Sequence, residues 1–296
     1  MPVTEILLLR HGHRIAWTLD PTTGKYTSTH PFPTRLPADP PLASHGVDQA
    51  ITTGEYLARQ LRPLVKENRL RVYSSLFYRC FQTLQPLIEE LRKDVDPHIK
   101  VRGERGMGEW FGRAWFEQPI PAEPTQLSPF FAWIDVEYKS RVIPDRHGES
   151  IAALCDRINQ AFSAVIADVE QEYRDEGRAD ENVTLLVCGH AAQIIASGRE
   201  LTGEHPEDPD TDDFKCFTCG ISKFTRQRST GVNSSDSSMG QWECILNSDC
   251  SHLPNGAERG WHFHGDESFD SYESSQGKGL VLANGTVNDS VGVSKL

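Results

Sequence analysis

The chain has 296 residues, 30 Lys+Arg against 42 Asp+Glu, a formal net charge of −12 and 38% hydrophobic residues. That length holds one large domain or two modest ones around a sizeable core, and 9% aromatic with 24% charged residues is a globular rather than a disordered composition. No apolar run approaches the roughly 20 residues of a membrane helix. The first ten residues lack the basic, apolar, small-residue succession of a secretory signal, and the acidic balance excludes wrapping of nucleic acid by charge alone. The expectation is a soluble intracellular chain with no membrane partner and no direct nucleic-acid binding. The acidity is uneven, because residues 201–296 carry 15 acidic and 7 basic residues, a net of −8 of the total −12.

In chain order, the apolar run 5–9 predicts a strand buried on both faces. Residues 19–41, with six prolines, predict one long loop of the kind that often serves function. Ser44 is placed as the N-cap of a helix to about residue 64, with Ile51, Gly54, Leu57 and Leu61 on its inner face. A second strand is predicted over 71–74. A helix follows over 79–93, with Leu84, Leu87, Ile88 and Leu91 inward. A third strand is predicted over 99–102. Residues 109–146 read as irregular and aromatic-rich, forming core, a lid or a partner-binding patch. The spacing of Ile151, Leu154, Ile158, Phe162, Val165, Ile166 and Val169 predicts a long amphipathic helix over 150–173. A fourth buried strand over 183–188 and a helix over 192–201 follow. Two further strands are predicted over 215–225 and 242–246, with a Ser/Gly-rich segment at 226–240 between them. The alternation predicts an α/β fold of three layers, a mostly parallel central sheet with helices on both faces. Residues 1–270 are expected to form one domain with insertions at about 19–41, 110–148 and 226–240, and 271–296 a polar C-terminal tail.

The seven cysteines are odd in number and scattered in spacing, so reduced thiols are expected. Cys216 and Cys219 form a C-x-x-C. A structural zinc site would need a second ligand pair, for which Cys244, Cys250 and His252 are the available residues, and buried cysteines on a strand over 214–225 are the preferred reading.

Ligand sites of parallel sheets lie beyond the carboxyl ends of the strands. The first strand ends in Leu9-Arg10-His11-Gly12, the second leads to Ser74-Ser75-Leu76-Phe77-Tyr78-Arg79, and the fourth ends in Cys188-Gly189-His190. Glu109 follows the third strand. Arginine captures phosphate bidentately and stays charged. A neutral imidazole is a competent nucleophile, and a His before Gly can fix its tautomer on a main-chain carbonyl. A nearby carboxylic acid can protonate the leaving oxygen and then activate water. Each residue alone has a plain structural reading. His11 would be a satisfied strand-end histidine, Arg79 an ordinary helix residue, Cys188 packing, and His45 and His147 surface residues. Together they describe a phosphate pocket that needs no metal and no cofactor.

These residues resemble the histidine phosphatase (phosphoglycerate mutase-like) superfamily. Arg10-His11-Gly12, the 41–50 segment opening the first helix, 74–83 with Arg79, Glu109, Gly148-Glu149-Ser150 and Gly189-His190 match its motifs in order. The resemblance implies a phosphomonoesterase. His11 becomes phosphohistidine, Arg10, Arg79 and His190 bind the phosphoryl oxygens, Glu109 is the acid and base, and Arg14 adds a phosphate contact. Substrates would be a phosphorylated small molecule or a phosphopeptide. Ala191 after His190 departs from the acid phosphatases and phytases. Trp17 stands where mutases carry asparagine, which counts against a phosphosugar phosphatase or mutase. His13 replaces a commoner acidic or small residue and is expected to change the pocket charge with pH. Tyr78 to Thr83, Gly108 to Phe111 and Gly260 to Phe263 further resemble the histidine-phosphatase modules of fungal TFIIIC, the RNA polymerase III initiation factor. That resemblance implies a nuclear location, other TFIIIC subunits as partners, and an alternative role as a weakly active or inactive interaction module.

Overall fold

The computed structural model describes residues 2–29, 32–227, 238–266, 268–276 and 278–283. The elements in order are β1 (Val3–Arg10), β2 (Trp17–Asp20), β3 (Lys25–Thr27), α1 (Ser44–Lys66), β4 (Leu70–Ser74), α2 (Tyr78–Asp94), β5 (Val101–Gly103), α3 (Pro124–Leu127), α4 (Ile151–Asp175), β6 (Val183–Gly189), α5 (Ala191–Thr202), β7 (Ile221–Arg226), β8 (Trp242–Asp249), α6 (Tyr272–Ser275) and β9 (Val281–Ala283). The central sheet has the order β5-β4-β6-β1-β7-β8. Its first four strands are parallel, β7 runs antiparallel to β1, and β8 runs antiparallel to β7.

Alternation along the strands divides the core. In β1, Leu7 and Leu9 join Leu57 and Leu61 of α1 and Leu84, Leu87 and Leu91 of α2 on one face. Ile6 and Leu8 join Leu154, Ile158 and Phe162 of α4 and Ile194 and Ile195 of α5 on the other. A strand apolar on both faces must be covered on both, so the four-residue apolar run Ile6 to Leu9 in β1 dictates three layers. Each such side chain contributes about 1.5–3 kcal/mol by leaving water. The seven apolar positions predicted for the long helix are all buried, and Ser150 caps it by accepting from the Ala153 N–H at 3.2 Å. Among the described residues no helix is long and apolar enough to cross a membrane.

Several expectations need correction. The 19–41 segment is not all loop, since β2 and β3 form a hairpin closed by Asp20, whose carboxylate accepts from the Thr22 N–H at 3.0 Å and from the Thr22 and Thr23 hydroxyls. The 271–296 segment is not wholly a tail either. It supplies α6 and then β9, which pairs with β2 and buries Val281. The cap of α1 is Ala43 rather than Ser44, and Ile51 is exposed. Residues 215–220 are not strand. Cys219 takes a left-handed backbone (φ +56°) there, and the Gly220 N–H turns back to the Phe217 carbonyl at 3.0 Å. Cys216 and Cys219 are therefore buried in a turn. Most of the Ser/Gly-rich 226–240 segment lies outside the described residues.

Candidate active site

The carboxyl ends of β1, β4 and β6 set the site. Past the end of β1, the His11 N–H donates to the Gly189 carbonyl at 3.0 Å and the Gly12 N–H donates to Thr83 Oγ1 at 3.0 Å. A Cβ on Gly12 would lie 2.7 Å from the Gly46 carbonyl oxygen, so only glycine lets this strand end pass so close to the start of α1. The loop carrying Glu109 is anchored from α4. Arg157, buried, pairs with Glu149 at 2.8 Å and donates to the Gly106 carbonyl at 2.7 Å, and the Trp110 indole donates to the Glu149 carbonyl at 2.9 Å. Gly148 precedes that anchor at φ +81°, a conformation that disfavours any side chain.

The six predicted site residues lie around one cleft of about 480 Å³, which Arg10, His11, Arg14 and Glu109 line with Trp17, Trp110, Phe111, Ala191, Ala192 and Trp261. Arg79 and His190, both buried, adjoin it through Glu109. The His11 and His190 rings meet edge to face with centroids 5.3 Å apart. His11 Nδ1 is 2.8 Å from the Gly12 carbonyl. A carbonyl only accepts, so Nδ1 carries the proton and Nε2 keeps its lone pair. Arg79 Nη2 donates to Glu109 Oε2 at 3.0 Å, and His190 Nδ1 lies 3.1 Å from the same oxygen. His190 Nε2 is 2.8 Å from Ser75 Oγ and 3.6 Å from Cys80 Sγ. Arg10 is turned toward the late part of the chain, with Nη1 donating to the Cys216 carbonyl at 2.7 Å and the Arg259 carbonyl at 2.6 Å. Arg14 is buried, donates to its neighbouring carbonyl at Ile15 and lies over the Trp17 ring at 5.5 Å.

Burial, then Arg79, His190 and Arg10, hold the His11 imidazole well below its ordinary value, so it is neutral at neutral pH. Burial would raise Glu109, but His190, Arg79 and His11 outweigh it and hold the carboxyl well below the usual range. Burial alone would lower His190, and the Cys80 thiol and the Glu109 carboxylate reverse that. Burial and the neighbouring Arg79 lower Arg14 to about 9. His13 does not act as expected. Burial and then Arg259 and Arg14 push it down to about 4, so its charge does not change near neutral pH. His147 is exposed, whereas His45 is half-buried with Nε2 2.7 Å from Glu258.

The ligand atoms of His11, Glu109 and His190 lie within 4.8 Å of one another, close enough to share a cation. Arg79 in contact with Glu109 and Arg10 lining the same cleft oppose a cation there and favour an anion.

Other residues of the site were not singled out from the sequence. Asp39, Ser75, Thr83 and Gln49 hold the functional groups or the backbone beside them, and Gln49 does so by accepting from the His13 N–H at 3.0 Å. Trp17 and Trp261, both noted in the sequence for other reasons, wall the cleft. Ser75 and Thr83 lie within the 74–83 motif, so their place was available. Asp39, in a proline-rich segment, carried no signal.

Comparison with known proteins bears on the family of the chain. The family model for the histidine phosphatase superfamily (branch 1) matches residues 6–235. The chain is 30% identical over 283 residues to the transcription factor tau 55 kDa subunit of Saccharomyces cerevisiae, covering 89% of this chain and 59% of that subunit. It is 27% identical to human ubiquitin-associated and SH3 domain-containing protein A, covering 69% of this chain and 32% of that protein. The chain thus spans about three fifths of the first relative and a third of the second. Among solved structures, the ecdysone phosphate phosphatase from Bombix mori in complex with tungstate superposes with a TM-score of 0.55 at 21% identity, covering 82% of this chain and 92% of that one. With its three-layer fold, its ordered motifs and a family match over most of its length, the chain belongs to the histidine phosphatase superfamily.

Proposed function

We propose that this chain hydrolyses phosphomonoesters through a phosphohistidine on His11, without a metal. The observation that carries the reading is a neutral His11, its Nδ1 committed to the Gly12 carbonyl and its Nε2 free, in an arginine-lined cleft beside a carboxyl group. In the first step Nε2 attacks phosphorus, the P–N bond forms, and the P–O bond to the leaving group breaks. Glu109 gives its proton to the leaving oxygen. In the second step Glu109 takes a proton from water, the hydroxide oxygen bonds to phosphorus, and the P–N bond breaks. Arg10, Arg79, His190 and Arg14 hold the phosphoryl oxygens, and positioning with charge stabilisation supplies most of the rate. Glu109 is ionised in the free site. The incoming phosphoryl dianion competes for Arg79 and His190 and returns the carboxyl toward its protonated form. The phosphatase domain in this reading includes β9, which pairs with β2, and the substrate is a phosphorylated small molecule or a phosphopeptide.

The test is release of phosphate from an aryl phosphate in the presence of a metal chelator. Wild-type protein is expected to turn over and His11→Ala to be inactive. Activity that survives in His11→Ala, or that the chelator abolishes, contradicts the mechanism.

The 30% identity to a transcription factor tau subunit across 89% of the chain favours a second, compatible role. In that role the chain is nuclear and assembles with other TFIIIC subunits, with weak or dispensable catalysis. Co-purification with those subunits from native extract, equal for wild type and His11→Ala, is expected. Recovery of the chain alone contradicts this role.

A further inference from the structure

The proline-rich segment ahead of α1 sends one carboxylate beneath the site. Asp39 is fully buried. Its Oδ1 and Oδ2 accept from the Tyr78 N–H, in the first turn of α2, at 2.9 and 3.1 Å, and Oδ2 accepts from the Thr34 hydroxyl at 3.1 Å. Oδ1 also lies 3.4 Å from Arg79 Nη1, and the Ala38 carbonyl accepts from the same nitrogen at 3.3 Å. The Arg79 guanidinium is thereby divided. Nη1 is held by residues 38 and 39, while Nη2 faces Glu109 and His190. A guanidinium is rigid and planar, so fixing one corner aims the other. Among the described residues Arg79 Nε has no partner, so the contacts of Nη1 on one side, with the Phe77 ring beneath, oppose those of Nη2 on the other.

We propose that Asp39 is a positioning residue for Arg79. Through Nη1 it fixes the guanidinium so that Nη2 meets the phosphoryl oxygens, while Asp39 itself touches no reacting atom. The inference rests on the phosphohydrolase reading of the site. A purely structural alternative exists, in which Asp39 only caps α2. Asp39→Asn separates the two, because its one remaining side-chain oxygen can still accept from the Tyr78 N–H while the charge and an acceptor toward Arg79 are lost.

The experiment is a double-mutant cycle with Asp39→Asn and Arg79→Ala. It reads kcat/KM for an aryl phosphate and the inhibition constant of inorganic phosphate, with thermal melts of each variant. Asp39→Asn is expected to lower kcat/KM about 10- to 100-fold in the presence of Arg79, and by less than about two-fold in its absence. Phosphate inhibition is expected to weaken in parallel. Equal losses with and without Arg79, or no loss, overturn the proposal. Should Asp39→Asn fail to fold, Thr34→Val loosens the same carboxylate without touching the cap, and its smaller loss must likewise vanish without Arg79. A wild-type protein that neither hydrolyses the aryl phosphate nor binds phosphate removes the underlying reading, a result distinct from failure of the Asp39 role alone.

Discussion

The chain up to the end of α5 and the chain after it contribute to the cleft in different ways. The earlier part is a parallel α/β unit that brings charged and imidazole side chains to the cleft from strand ends and the start of α2: Arg10, His11, Arg79, Glu109 and His190. The later part is antiparallel and irregular, and it delivers mainly backbone and apolar surface. It gives the Cys216 and Arg259 carbonyls that hold Arg10, and Trp261, which walls the cleft and packs on Trp110 and Phe263 with centroids 6.4 and 5.1 Å away. Cys219 and Arg259, both at φ +56°, lie in the turns that present those carbonyls. Strained backbone of this kind persists where its surroundings over-determine it. The charged groups of the cleft and the backbone that holds them come from separate stretches of sequence, and only the first stretch is rich in motifs.

Several experiments break or sharpen that division. His11→Ala is expected to cost at least about 10⁴-fold in kcat with the fold retained, because no other group replaces the nucleophile. Steady-state kinetics with circular dichroism checks this. Arg79→Ala is expected to cost about 10³-fold, the scale of losing one preorganised donor at a developing charge. The core substitutions Phe162→Ala in α4 and Phe263→Ala in the late segment are each expected to destabilise by about 3–5 kcal/mol in chemical denaturation. Below their melting temperatures they should part company. Phe162→Ala keeps kcat/KM within about two-fold, whereas Phe263→Ala lowers it several-fold because Trp261 loses its support. Equal activity in the two would contradict the assignment of preorganisation to the late segment.

Stability against pH gives a subtler reading of the early part. His11 is held well below 6.5 in the folded chain by burial first and then by arginine. As pH falls through 6.5 the unfolded chain takes up a proton that the folded chain refuses, so stability is lost on acidification. His11→Asn is therefore expected to lose less stability than wild type between pH 7 and 5, by up to about 1.4 kcal/mol per pH unit. The smallest effect belongs to His13→Gln. With His13 pushed down to about 4, this change should leave the pH–rate profile above pH 5.5 within about two-fold of wild type.

Much of the early part was legible because its signals are local. A four-residue apolar run marks β1, three- and four-residue spacing marks α4, and Arg10-His11-Gly12 and Gly189-His190 sit where strands must end. What was not legible depended on distant partners or on short elements. β2 and β3 have four and three residues, too few to establish an alternation. Their third strand comes from more than 250 residues away. The Cys216 to Gly220 stretch carries apolar and β-branched residues suited to a strand, yet one left-handed residue turns it. Asp39 is recognisable only once α2 and Arg79 have been folded onto it.

The central claim is that phosphate passes through His11. Rapid acid-free quenching of wild-type protein with an aryl phosphate, followed by peptide mass spectrometry, tests it directly. A phosphoryl adduct on the imidazole of His11, stable to base, labile to acid and absent from His11→Ala, is expected. Turnover without that adduct, or an adduct on another residue such as Cys80 or His190, would contradict it.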